Sequence, residues 1–250
     1  MKKEIYITTD IHNYMKYSSE HKAGFSKETE YLKKYLSLAN KYSIKVTVFV
    51  SGLEIENNID YYRGLIDNPF VELGGHTWDC YTRYFKGEGY IYKKIFGCAY
   101  GPSFFQRYDI KKTTKILKEI GVSPVSWRTH AYASNKDTRK ILVKEGYKII
   151  SDISKEKYLS NNIIEAIPNI LPDHENIIHK GIKNNPQARY ILEEWFFEIK
   201  KEILNNDKSI ILIHATCQKY LDDFKTLENL FKWINENKIE SKLMREYKYD

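Results

Sequence analysis

The stretch EIYITTDIHNY, Glu4 to Tyr14, begins as an apolar, β-branched run, stops on an aspartate, skips one residue and presents a histidine. Alternate side chains of a strand share a face, so Asp10 and His12 are expected to point the same way at the end of a sheet. The same pattern recurs outward from this stretch. Lys27 to Tyr42 places Leu32, Tyr35, Leu36 and Ala39 at helical spacing, and "IKVTVFV" reads as the next strand. The alternation continues through "FVELGGH", a helix from about Asp109 to Ile120, "VSWRTH" and a helix from Lys136 to Glu145. It then runs through "YKIISD", "IIEAIP", a helix from Ala188 to Asn205, "SIILIH" and a final helix from Asp223 to Asn237. Gly121 and Gly146 fall just past two helices, where left-handed C-terminal caps are expected. Strand and helix alternating over the whole length predict an α/β fold with a mainly parallel sheet. Seven or so repeats argue for closure into a barrel.

The 250 residues contain 42% hydrophobic and 29% charged side chains, enough for a core and too apolar for a disordered chain. No Gly/Ser-rich or Pro-rich run interrupts them, so one domain over residues 1–250 is expected. The net charge of +7 permits contact with polyanions, yet the lysines are spread through helical stretches without a block of five, which favours solvated helix faces and excludes nucleic acid as an expected partner. No apolar run suits a signal peptide or a membrane span, and three cysteines (Cys80, Cys98, Cys217) lack CxxC spacing. A cytoplasmic protein in a reducing setting is the expectation. Aromatic side chains crowd the segment from Trp78 to Phe105, which reads either as a wall for stacking sugar rings or as a lid or homo-oligomer contact.

In parallel α/β folds chemistry gathers at the C-terminal ends of strands. Here those ends carry Asp10 and His12, His76, Arg128 and His130, Asp152, and His214. A single strand-end histidine is usually structural, and an aspartate such as Asp152 can cap a helix. Several ionisable groups at equivalent positions point to a site. "PDHENIIH", Pro172 to His179, adds Asp173 and His174 in a loop after "IIEAIP", readable as a solvated turn or as a cover over the mouth of the site.

These motifs, in this order, resemble those of the polysaccharide deacetylase (NodB-like, carbohydrate esterase 4) superfamily. Asp10-Ile11-His12 resembles its first motif, "VTVFVSG" its second strand, and "VELGGHTWDC" its His-Ser/Thr motif. "WRTHAY", Trp127 to Tyr132, resembles its arginine-bearing motif, Asp152 stands for the aspartate of its fourth, and "ILIH" resembles the last, with its histidine. The resemblance implies a distorted (β/α) barrel of the NodB type and a metal-dependent hydrolase that removes an acetyl group from an amino sugar or glycan precursor. Three positions depart from the family pattern. His12 stands where a metal-binding aspartate is usual, Cys80 where a second metal-binding histidine is usual, and His130 where proline is usual. Imidazole and thiolate both suit zinc, which is the expected cofactor, although a free cysteine is also commonly a small buried residue.

The residue logic runs parallel to the family's. A metal held by His12 and His76, with Cys80 as a third candidate, would lower the pKa of a bound water from about 15.7 towards about 7. Asp10 is expected as the base and His214 as the acid that protonates the departing nitrogen. Arg128 with Asp152 would orient Asp10 or His214, while His130 would complete the metal set or contact the substrate, and Tyr132 and His174 are candidates for substrate contact. A hydrolase of another non-peptide C–N bond and a non-catalytic glycan-binding barrel are the alternatives.

Overall fold

The structure is a computed structural model that describes residues 3–12, 27–80, 88–153, 162–173 and 190–248. Strand β1 covers Glu4–Ile11, and the first described helix, α1, covers Glu28–Lys41. Then follow β2 (Val46–Val50), two short helices, α2 (Gly52–Asn57) and α3 (Ile59–Arg63), and β3 (Val71–Gly75). Helices α4 (Glu88–Phe96) and α5 (Ser103–Glu119) precede β4 (Ser126–Trp127). The rest comprises α6 (Lys136–Glu145), β5 (Ile149–Ile150), β6 (Ile164–Glu165), α7 (Leu192–Asn205), β7 (Lys208–Leu212), α8 (Ala215–Asp222), α9 (Lys225–Glu236) and β8 (Glu240–Ser241). No described helix is long and apolar enough to cross a membrane.

Every strand pairing is parallel, in the order β6-β5-β4-β3-β2-β1-β7, with β8 beside the start of β1. The sheet curls until its edges meet. Beyond β6 the amides of Asn169 and Ile170 donate to the Ile210 carbonyl of β7, and the Ile210 amide donates to Asn169 Oδ1 at 2.7 Å. The distorted α/β barrel expected from the sequence is therefore the observed architecture, with one seam made partly by a side chain.

Period-two patterning sorts the strand residues between two cores. Ile5, Ile7 and Ile11 of β1, Val46, Val48 and Val50 of β2 and Ile211 of β7 pack outward under the helices. Tyr6, Phe49, Ile149 and Ile210 point into the barrel, where Met244 joins them from the C-terminal segment. Helix α9 shows the complementary helical period, burying Leu227, Leu230, Phe231 and Ile234. Helix α6 starts from a capping box between Asn135 and Thr138. Gly121 and Gly146 both have positive φ, 98° and 96°, and supply the left-handed turns after α5 and α6.

Three differences from the sequence reading have simple causes. The strands at "VSWRTH", "YKIISD" and "IIEAIP" shrink to two residues each, because the chain leaves the ladder to place polar groups over the barrel mouth. Helix α5 starts at Ser103, a turn and a half before Asp109, since its first turns pack against α4 through Phe105 and Tyr92, whose ring centroids are 5.7 Å apart. Helix α4 lies inside what reads only as an aromatic-rich segment.

Candidate active site

Register places the site. Ile11 pairs with Val50, Val50 with Gly75, Gly75 with Trp127, and Trp127 with Ile150. The next residue on each strand is therefore His12, Ser51, His76, Arg128 and Ser151, one row across the C-terminal end of the sheet. On the other side of β1, Thr8 pairs with Leu212, which brings Asp10 level with His214. Asp10, His12, His76, Arg128 and Asp152 are all buried.

Close approach of backbones makes this row possible. A Cβ on Gly75 would lie 2.4 Å from the Trp127 ring, and one on Gly52 would lie 2.3 Å from the Trp78 ring, so only glycine fits between these elements. The loops beyond are strained. Thr77, Cys80, Ala131 and Tyr132 have φ between 47° and 58°, a region that a β-branched residue such as Thr77 adopts only when its surroundings force it. Thr77 and Trp78 are held there by their carbonyls, which accept from the amides of Gly52 and Leu53.

His76 Nδ1 is 2.8 Å from the Arg128 carbonyl, which can only accept, so the proton sits on Nδ1 and Nε2 carries the lone pair. Burial pushes the His76 pKa down to about 3, against the attraction of Asp10, and the ring is neutral at ordinary pH. Its Nε2 faces His12 Nε2 at 2.9 Å. On the other side of His12, the carboxylate of Glu28 accepts the His12 amide at 2.5 Å and lies 3.5 Å from Nδ1, which favours the proton on that nitrogen. Two ring lone pairs directed at each other over this distance repel unless a cation or a proton lies between them. The donor set fits a divalent transition metal: Asp10, His12 and His76 bring three ligand atoms within 4.8 Å of one another, and so do His12, Cys80 and His130. The three imidazoles cluster edge to face, with the His130 ring centroid 5.0 Å from His12 and 5.7 Å from His76. Burial raises the Cys80 thiol pKa well above its ordinary value, with Glu28, Asp79, Asp109 and Asp10 adding to the effect, so Cys80 is a thiol unless a cation approaches it.

Arg128 is wholly buried. It donates through Nη1 to Asp10 Oδ1 at 3.0 Å and to Thr8 Oγ1 at 2.8 Å, and through Nε and Nη2 to the carbonyl and hydroxyl of Ser151. Its guanidinium lies 4.5 Å over the Phe49 ring and 5.8 Å from the Tyr132 ring. Burial alone would raise the Asp10 pKa, yet the Arg128 guanidinium holds the carboxyl well below the usual range.

His214 sits across the mouth with Asp173. The Asp173 carboxylate accepts from His214 Nδ1 at 2.8 Å, from the His214 amide at 2.9 Å and from Gln218 Nε2 at 2.9 Å. Burial would lower the His214 pKa; the Asp173 charge and hydrogen bond, with Asp10 and Glu28, raise it above its ordinary value.

Two expectations are corrected. Asp152 orients neither Asp10 nor His214; its Oδ1 accepts from the Thr129 amide at 2.8 Å and so braces the loop that carries His130. The carboxylate partner of His214 is Asp173 instead, because the chain after β6 rejoins the sheet at β7 and delivers Asp173 beside the end of that strand. Glu28 is a site residue that the sequence reading missed, since at the start of an amphipathic helix it looks like an ordinary first-turn acid. His174, a candidate for substrate contact, lies outside the described residues, as do Tyr81, Tyr84 and Phe85 of the aromatic segment.

The sequence model of the polysaccharide deacetylase family matches residues 1–150. The chain belongs to the polysaccharide deacetylase family. Solved structures of similar fold include a Mycobacterium smegmatis protein described as a polysaccharide deacetylase, 12% identical, covering 96% of this chain and 87% of its own, with a TM-score of 0.70. The PuuE allantoinase is 11% identical over 97% of this chain and 87% of its own, with a TM-score of 0.67. BA3943 of Bacillus anthracis, described as a carbohydrate esterase 4 pseudoenzyme, is 13% identical over 98% of this chain and 65% of its own, with a TM-score of 0.58. At such identities these structures speak for the shared fold. No curated protein matches the sequence.

Proposed function

We propose that this member of the polysaccharide deacetylase family is a metal-dependent hydrolase, acting in the cytoplasm as one barrel domain, that releases the acetyl group of an N-acetylated amino sugar in a glycan or glycan precursor. The observation that carries this reading is the facing pair of His12 and His76 Nε2 atoms beside an Arg128-held Asp10, with the His214–Asp173 pair across the mouth. The three cysteines, all buried and none in a disulfide, agree with a reducing setting.

In this reading His12 and His76 hold the cation, zinc being the best match to nitrogen and sulfur donors, with His130 and Cys80 placed to complete the set. A bound divalent ion supplies positive charge that acidifies water and polarises the scissile carbonyl. Asp10, oriented through one oxygen by Arg128, takes the proton of the attacking water. His214 is oriented through Nδ1 by Asp173 and gives a proton from its other ring nitrogen to the departing amine. Glu28 and the Arg128 carbonyl keep the two ligand rings in the tautomer that leaves Nε2 available.

The departures at His12 and Cys80 keep one other reading in play, a barrel that binds a glycan without turning it over. Elemental analysis of protein purified without added metal, run beside acetate release from N-acetylglucosamine oligomers, separates them. About one zinc or similar ion per chain, lost in His12→Ala, together with acetate release is the expected result. Wild-type protein that neither contains nor takes up metal overturns the hydrolase.

A further inference from the structure

Half of the large apolar side chains left exposed among the described residues fall between positions 90 and 108. They are Tyr90, Ile91, Ile95 and Phe96 on α4, and Phe104 and Tyr108 on α5, with Ile95 and Phe104 the most open at 66% and 65%. The two helices form one surface, since Tyr92 of α4 packs against Phe105 and lies over Gly101, and Phe104 stacks near Phe105 with centroids 4.4 Å apart. A cluster of exposed apolar side chains of this kind marks a place where something docks.

The charge around it narrows the partner. Lys93, Lys94, Arg107, Lys111, Lys115 and Lys118 are all exposed on the same two helices, while Glu88 and Asp109 are buried and Glu119 is the one exposed acid from residue 88 to residue 119. Apolar side chains bordered by lysine and arginine suit the headgroup layer of an anionic bilayer, where rings and branched chains enter the acyl boundary and cations stay with the phosphates. A second copy of the same face would bring two sets of these cations together, and like charges in an isologous contact oppose it.

The surface is also tied to the site. Cys98, between α4 and α5, donates its thiol to the Ala133 carbonyl beside the His130–Tyr132 turn. Asp109 of α5 accepts from the Trp78 amide at 2.9 Å, and Lys112 Nζ lies 3.4 Å over the Trp78 ring, two residues before Cys80. Both loops of the site rim are therefore hydrogen-bonded to the α4–α5 unit.

We propose that the α4–α5 face docks on a membrane surface rich in anionic lipid. On the deacetylase reading, on which this second step rests, the substrate is an amino-sugar conjugate whose lipid end stays in the bilayer.

The test is co-sedimentation of the full chain with phosphatidylcholine vesicles made with and without phosphatidylglycerol. Binding is expected only with the anionic lipid and should weaken as salt is added. It should fall about fivefold for each lysine removed in Lys93→Ala and Lys94→Ala. It should be lost in the Ile95→Asp, Phe104→Asp double variant, whose exposed positions leave metal uptake and thermal unfolding as in the wild type. His12→Ala should bind vesicles normally, which keeps docking separate from catalysis. Three results overturn the proposal: no sedimentation of the wild type with anionic vesicles, equal binding by the double variant, or a concentration-dependent wild-type dimer that Ile95→Asp makes monomeric. For the substrate, acetate release from a lipid-linked N-acetylamino sugar in these vesicles should fall with binding in the double variant, while a water-soluble oligomer is turned over unchanged. Equal loss or retention on both substrates overturns the lipid-linked assignment. A wild type that binds vesicles but hydrolyses neither substrate refutes the deacetylase reading and leaves the docking face standing.

Discussion

Asp10 is reached by three influences that pull differently: burial disfavours its charge, Arg128 restores it, and the facing imidazoles depend on whether a cation is shared. Asp10→Asn keeps the shape and the Arg128 contact but removes the proton acceptor, so turnover should drop by about 10²–10⁴-fold while metal content stays at the wild-type level. An Asp10→Asn protein of normal activity would take Asp10 out of the mechanism. Cys80→Ser should lower zinc affinity if the thiolate binds the ion; unchanged affinity in a chelator competition returns Cys80 to the core. His214 supplies the pH dependence. Its folded pKa is raised above 6.5, chiefly by Asp173 against the opposing effect of burial, so the acid form and the activity that needs it persist past that pH and decline as pH rises through the raised value. Asp173→Asn should move this alkaline limb to lower pH in a kcat profile. The same pair stabilises the fold fully below 6.5 and loses that contribution as the pH climbs through the folded pKa of His214.

At the scale of elements, the β3–β4 contact decides where His76 and Arg128 stand. Gly75 is in register with Trp127, and its carbonyl accepts the Arg128 amide at 3.0 Å. Gly75→Ala would drive a methyl group into the indole, and a loss of about 1–3 kcal/mol is expected from overpacking. Because His76 is the next residue, metal affinity should fall along with the midpoint of urea unfolding. The strands themselves were legible as apolar runs, and of the strand-end residues named from them His12, His76 and Arg128 lie in the row across the sheet, with Asp10 level with His214. The short β4 and β5 show why lengths were not legible: Arg128 and Thr129 after β4, and Ser151 and Asp152 after β5, stay buried after the ladder ends, and the sequence does not record whether a buried residue is paired.

At the scale of the molecule, the site joins β1, β3, β4, the start of α1, the segment after β6 and the end of β7, so an ion bound there ties distant parts of the chain together. Zinc at about 100 times its dissociation constant should stabilise the wild type by about 2.7 kcal/mol. For a chain of this size that corresponds to a rise in Tm of roughly 5–10 °C, absent in His76→Ala. No zinc-dependent shift in the wild type would argue that the facing imidazoles share a proton.

The sequence by itself determined the strand and helix alternation, the family pattern and the inward face of Asp10 and His12, because these follow from side-chain period and from residues close in the chain. Tertiary structure alone decided that Asp173, and not Asp152, partners His214, and that Glu28 meets His12. Those pairs are 41 and 16 residues apart and come together only when the sheet curls and α1 packs over the end of β1. No local pattern records that closure, since a buried acid at a helix start or in a loop has the same sequence whether it caps, pairs or binds.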